Sequence, residues 1–275
     1  MAIFTKYHHE NVQPSKTAAD LLRTGNLISF LLSVIVTLYC SIYAPTILHV
    51  SSAHPTPFTT NSVMTTVYWL VMFFWQVGFI ASLWGDEHTQ TVALTGVHAH
   101  FILFNLFHFA WVLLFVRHHF TLSELFLALN FINLLALYVR LHTPSFRTLI
   151  WVHLPVCKFP LAAIAIDLLH NGAIAMHCHT LGCRIFANVW IWVAFAFQAG
   201  LVVVFKDWAI GLLLAYQWLS LAIGQIFTKV VALQWIFGFA IAGILSVLAL
   251  AVMIPRARQS SDEHGSGERA PLLRD

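Results

Sequence analysis

Lys158 and Asp167 are ionisable side chains inside, or at the end of, one long apolar stretch. A charge in hydrocarbon is costly, and such residues usually face a partner, a cavity or a substrate path. Nine residues separate the two. That is about two and a half turns at 3.6 residues per turn, which puts them on opposite faces of a helix and out of reach of each other. Lys158 can also snorkel towards the headgroups, and Asp167 can reach the interface, so a structural role is as open as a functional one. His98, His100 and His108 lie along an earlier stretch. They could relay protons or simply face a neighbouring helix. His108 and Trp111 are three residues apart and share a helix face.

His170, His177, Cys178, His179 and Cys183 crowd one connection. Imidazole and thiolate are good zinc or copper ligands, but the spacing matches no zinc module and no carboxylate lies within the cluster. A Cys178–Cys183 disulfide suits an oxidising compartment, and a polar, histidine-rich loop is the third reading. No metal is assigned. The C-terminus ends Glu268-Arg-Ala-Pro-Leu272-Leu273-Arg-Asp. An acidic residue four positions before a leucine pair, on an exposed tail, resembles the acidic dileucine signal gripped by clathrin-type adaptors. It offers one carboxylate to a basic patch and two leucines to an apolar pocket. Such signals direct fungal cargo to the vacuole and animal cargo to the lysosome. There is no HExxH, no GxSxG, no phosphate-cradling glycine loop and no pair of intramembrane aspartates. The expectation is a protein that is not an enzyme and carries no cofactor.

The elements that must position these residues are apolar runs. The chain has 275 residues, of which 59% are hydrophobic and only 9% charged, with a mean hydropathy of +0.79. A soluble domain averages about 25% charged residues, so a water-facing shell cannot be built. Crossing a hydrocarbon layer of roughly 30 Å takes about 20 apolar residues in helix, and continuous runs without alternation exclude a barrel. The expected fold is all-α, a polytopic transmembrane bundle of about eight helices. The spans run over 27–48, 63–84, 97–116, 122–141, 149–169, 186–205, 208–227 and 233–254. The fifth is the weakest, with Pro155, Lys158 and Pro160 inside it. Were it broken, seven spans would remain. Residues 1–26 form an N-terminal segment without a cleavable signal peptide, and 255–275 a tail whose serine, glycine and charge suggest disorder.

Lysine and arginine favour short cytosolic loops. With eight spans, Lys6, Lys16, Arg23, Arg140, Arg147, Lys206, Arg256, Arg258, Arg269 and Arg274 share one side, against Arg117, Arg184 and Lys229 on the other. The bias places both termini in the cytosol. A net charge of +3 without a basic stripe excludes nucleic acid. The partners expected are the lipid bilayer, a small hydrophobic ligand and an adaptor at the tail.

From Thr66 to Gln225 the chain resembles the tryptophan-rich sensory (translocator) proteins. Val67-Tyr-Trp69-Leu-Val-Met-Phe73 leading to Gly78-Phe79, Trp111-Val-Leu-Leu-Phe115, Leu134-Leu-Ala-Leu-Tyr138-Val-Arg140, Pro155 and Asp207-Trp208-Ala-Ile-Gly211 carry the likeness. His108 stands where that group has asparagine, and Ala162 where it has tryptophan. The resemblance implies a cavity for an apolar or amphipathic ligand, such as a sterol or porphyrin, with Trp69, Trp75, His108 and Trp111 facing the bundle interior. Lys158 and Asp167 complete the candidate set. The whole chain with its tail resembles a fungal multi-pass family known as domain of unknown function 1774, which implies a vacuolar membrane protein without an assigned activity. Binding or moving a small amphipathic ligand is the leading expectation. A proton- or metal-coupled transporter and a non-transporting scaffold are the alternatives.

Overall fold

The computed structural model describes residues 16–85, 90, 92–142, 150–177, 181–228 and 233–267. These residues form nine helices and no strand: α1 Lys16–Ile42, α2 Ile47–Ala53, α3 Ser62–Ser82, α4 His100–Val116, α5 Phe120–Leu141, α6 Phe159–Ala175, α7 Leu181–Phe205, α8 Trp208–Thr228 and α9 Gln234–Gly267. A single turn Ile150–His153 and a π-helical turn Leu154–Lys158 lead into α6. Seven helical segments are long and apolar enough to cross a membrane, and α4, at 17 residues, is a shorter eighth. This is an all-α bundle of the multi-pass membrane type.

Successive passes run antiparallel, and polar contacts mark the two ends. At the first end Arg23 of α1 donates through Nε to the Leu83 carbonyl (3.0 Å) and through Nη2 to Gln90 (2.6 Å). There too Arg140 donates to the Thr95 carbonyl (2.7 Å). At the second end Gln234 Nε2 of α9 donates to Asn188 Oδ1 of α7 (3.2 Å). With eight passes, the start of α1 and Ile254 emerge at the same end.

The bundle has two central members. The pass Leu154–Ala175 is 78% buried and Trp208–Thr228 61%, whereas the other long passes bury only 22–33%. The peripheral helices turn apolar residues outwards, including Phe74, Val189, Val204 and Val247, as lipid contact requires. The span with the least apolar sequence is therefore the innermost one. In the π-helical register Pro160 has no amide for the Pro155 carbonyl, and Gln76 Nε2 supplies that bond (3.0 Å), while Tyr68 Oη donates to the nearby Phe159 carbonyl (2.8 Å). α8 and α9 pack closely through small residues. A Cβ on Gly211 would lie 2.9 Å from Ala249 Cβ, and one on Gly238 2.9 Å from Ala222 Cβ.

Three boundaries differ from expectation. The first helix begins at Lys16 rather than near Leu27, because the Arg23 contacts support its polar first turns. The fifth pass is unbroken from Leu154 to Ala175, so the short pass is α4 instead, preceded by a π-helical turn Val92–Val97 and by His98 at φ 49°. The last helix continues to Gly267, where disorder was expected after residue 254. The helix passes through Pro255, and from Arg256 to His264 no further proline and no glycine interrupts it.

Candidate functional site

A cavity of about 650 Å³ lies at the second end, among α1, α2, α3, α4, α6 and α8. That is within the range of small-molecule sites. One wall is aromatic. The Trp69 ring stacks on His108 at 4.5 Å and lies 6.4 Å from Trp111, with Phe73 5.7 Å away. Phe115 continues the wall beyond Trp111 at 5.7 Å. The lining is also rich in hydroxyls, from Thr37 and Ser41 of α1 through Ser51 and Ser52 of α2 to Thr59, Thr60 and Thr65.

The segment joining α2 to α3 forms the floor, and α8 holds it. Gln225 Nε2 donates to the carbonyls of Thr56 (2.9 Å) and Thr59 (3.0 Å), and the Asn61 amide to the Ser220 carbonyl (2.9 Å). Backbone comes so close to Gly224 that an added Cβ would sit 2.5 Å from the Thr60 carbonyl carbon. His170 of α6 ties the same segment down, with Nε2 3.0 Å from Ser51 Oγ and Nδ1 2.8 Å from Thr56 Oγ1.

Three polar atoms of the lining have no hydrogen-bond partner among the described residues: Asp167 Oδ2, His108 Nδ1 and Trp111 Nε1. The other His108 nitrogen, Nε2, lies 2.9 Å from Thr37 Oγ1. Buried groups of this kind normally find partners, so the cavity offers one acid and two ring nitrogens to whatever enters.

Of the residues expected at a cavity, Trp69, His108, Trp111 and Asp167 line it together. Trp75 does not. It is half-buried on α3 and packs beside Phe159, with ring centroids 6.5 Å apart. Lys158 does not either, because the helix turns it to the opposite face, as its spacing from Asp167 requires. Rather than snorkelling it is buried, with Nζ 2.8 Å and 3.0 Å from the two oxygens of Asp207. That carboxylate also accepts from Tyr138 Oη (3.1 Å), faces His142 Nε2 (3.1 Å) and caps α8 through the amides of Ala209 (3.1 Å) and Ile210 (3.4 Å). Burial alone would raise the Asp207 pKa, but the His142 hydrogen bond and the Lys158 ammonium outweigh it and hold the carboxyl well below the usual range.

Asp207, Tyr138 and His142 were not among the expected site residues. An aspartate directly before the apolar run at Trp208 was the available signal, since that is a helix N-cap pattern. The cavity hydroxyls and His170 were also missed. The serines and threonines crowded between Ser51 and Thr66 were the sign of a polar wall. The histidines of span three form no chain: His108 faces the cavity, whereas His100 Nδ1 lies 2.8 Å from Asn133 Oδ1. Cys183 is disulfide-bonded, Cys40 and Cys157 are free, and Cys178 lies outside the described residues. Glu268, Leu272 and Leu273 of the expected sorting signal also lie outside them.

Residues 184–273 match the model of a family described as "Fungal protein of unknown function (DUF1774)". The chain is 32% identical over 236 residues to an uncharacterized protein of Schizosaccharomyces pombe, an alignment covering 84% of this chain and 86% of that one. No solved structure matches. The likeness to tryptophan-rich sensory proteins finds no support in these matches.

Proposed function

The chain belongs to this fungal family of unknown function (DUF1774), and from that premise we propose that the bundle binds, and moves into or out of the bilayer, a small amphipathic ligand without catalysing a reaction on it. One observation carries the reading: the cavity is large enough for such a molecule, and its aromatic wall and acid present polar atoms that no protein group satisfies. A scaffold whose helices merely pack has no use for an unfilled space of this size, since interiors are normally close-packed. Proton or metal coupling is less favoured, because Lys158 is engaged with Asp207, away from the cavity.

The test is chemical. Protein purified into nanodiscs is extracted and its small molecules identified by mass spectrometry, beside a Thr65→Trp variant that fills the cavity. A compound retained by the wild type and lost from the variant is the expected result. Identical extracts from two well-folded proteins would refute ligand binding.

The same proposal includes an address. Both termini face the cytosol, on the charge bias of ten to three, which turns the cavity mouth to the opposite side. The Glu268, Leu272 and Leu273 signal then lies within reach of a clathrin-type adaptor that sends the protein to the vacuolar membrane. A tagged Leu272→Ala, Leu273→Ala double variant is expected to leave that membrane for the cell surface. Unchanged imaging of the variant would remove the tail from the account.

A further inference from the structure

We infer that the ligand is a lipophilic amine, its ammonium head paired with Asp167 and its apolar body laid along the Trp69–Trp111 wall. The inference rests on the cavity reading above and adds the charge of what fills it.

Among the described residues, Asp167 is the only carboxylate lining the cavity, and no lysine or arginine lines it. Its Oδ2 is enclosed and unpartnered. His170, one turn away on α6, cannot serve it, because both ring nitrogens already face the hydroxyls of Ser51 and Thr56. An ionised carboxylate without a partner is costly away from bulk water, and a positive group supplied by the ligand would meet that need. The aromatic wall acts in the same direction, since the faces of Trp69 and Trp111 attract a cation near them.

Other ligand chemistries fit less well. An anion would meet an acid and, among the described residues, no fixed cation. A neutral sterol-like body could offer Asp167 a hydroxyl but no countercharge. A bare metal ion needs several ligands, and among the described residues no group of three or more His, Cys, Asp or Glu side chains could hold one. A space of about 650 Å³ with leucine, tryptophan and phenylalanine on its walls suits an alkyl or aryl body rather than an ion.

The experiment measures saturable binding of three probes of equal chain length to nanodisc-embedded protein: dodecylamine, 1-dodecanol and dodecanoate. Saturable binding is the part abolished by Thr65→Trp. Dodecylamine is expected to bind at least tenfold more tightly than dodecanol, and dodecanoate not at all. Asp167→Asn, a change of charge at constant shape, should erase the preference for the amine while leaving dodecanol binding intact. That retained binding also reports that the variant is folded, and if it is not, the wild-type ranking alone decides. Equal binding of amine and alcohol by the wild type, or an amine preference that survives Asp167→Asn, overturns the charge inference and leaves the cavity reading standing. No saturable binding of any probe overturns both.

Discussion

At the residue scale, two acids inside the bundle have opposite surroundings. Asp207 is surrounded by donors: an ammonium, a phenol, an imidazole and two backbone amides. Asp167 has none for its Oδ2. The first arrangement serves stability and the second leaves room for a guest. Removing one partner of a buried pair strands the other charge, at a cost of about 3–5 kcal/mol. We therefore predict that Lys158→Met lowers the thermal midpoint sharply and that adding Asp207→Asn recovers part of the loss, as followed by tryptophan fluorescence in detergent. A double variant no more stable than Lys158→Met would show that the ion pair is not what holds this end. Acid sensitivity follows with a definite sign. The folded Asp207 pKa is depressed below the unfolded aspartate value of about 3.9. Its contribution is thus present above about pH 4 and fades as pH falls towards the folded value. Stability against pH below about 4 should fall less steeply for Asp207→Asn than for the wild type.

At the scale of elements, the pass Leu154–Ala175 shows why a poor apolar score need not mean a poor helix. Lys158, Pro155 and Pro160 would be intolerable facing lipid, but neighbours from α3 supply donors to the freed carbonyls and Asp207 meets the lysine. The floor of the cavity depends on a different element contact, the approach of the α2–α3 connection to α8 at Gly224. A methyl there collides with backbone that has nowhere to go, 2.5–2.7 Å from atoms of Thr59, Thr60 and Asn61. Gly224→Ala is expected to lower the thermal midpoint and to abolish ligand retention. Gly243→Ala, where a Cβ meets nothing within 4 Å, should change neither. Equal effects of the two would detach the floor from the site.

At the scale of the molecule, eight antiparallel passes put the start of α1 and the end of the last apolar pass on one side, with the cavity at the other. The lysines and arginines of short loops then divide unequally, and in the proposed orientation the richer side faces the cytosol. A reporter active only in the cytosol is predicted to work when fused to either terminus. A signal from one terminus alone would mean that one pass, with α4 the shortest, does not cross.

The sequence by itself determined the class of molecule: apolar runs of membrane-spanning length leave the backbone no alternative to helices. It also placed Lys158 and Asp167 on opposite faces, because helical pitch is fixed. Their neighbours were not legible. Whether an intramembrane charge is paired or bare depends on which helix packs against it, and Lys158 meets Asp207 49 residues away through contacts that no local spacing encodes. The burial of the least apolar pass, the withdrawal of Trp75 from the cavity and the hydroxyls gathered around it have the same origin. Local sequence fixes what each helix can turn outward or inward, but only the packing of all of them decides where a space remains and which side chains are left without partners inside it.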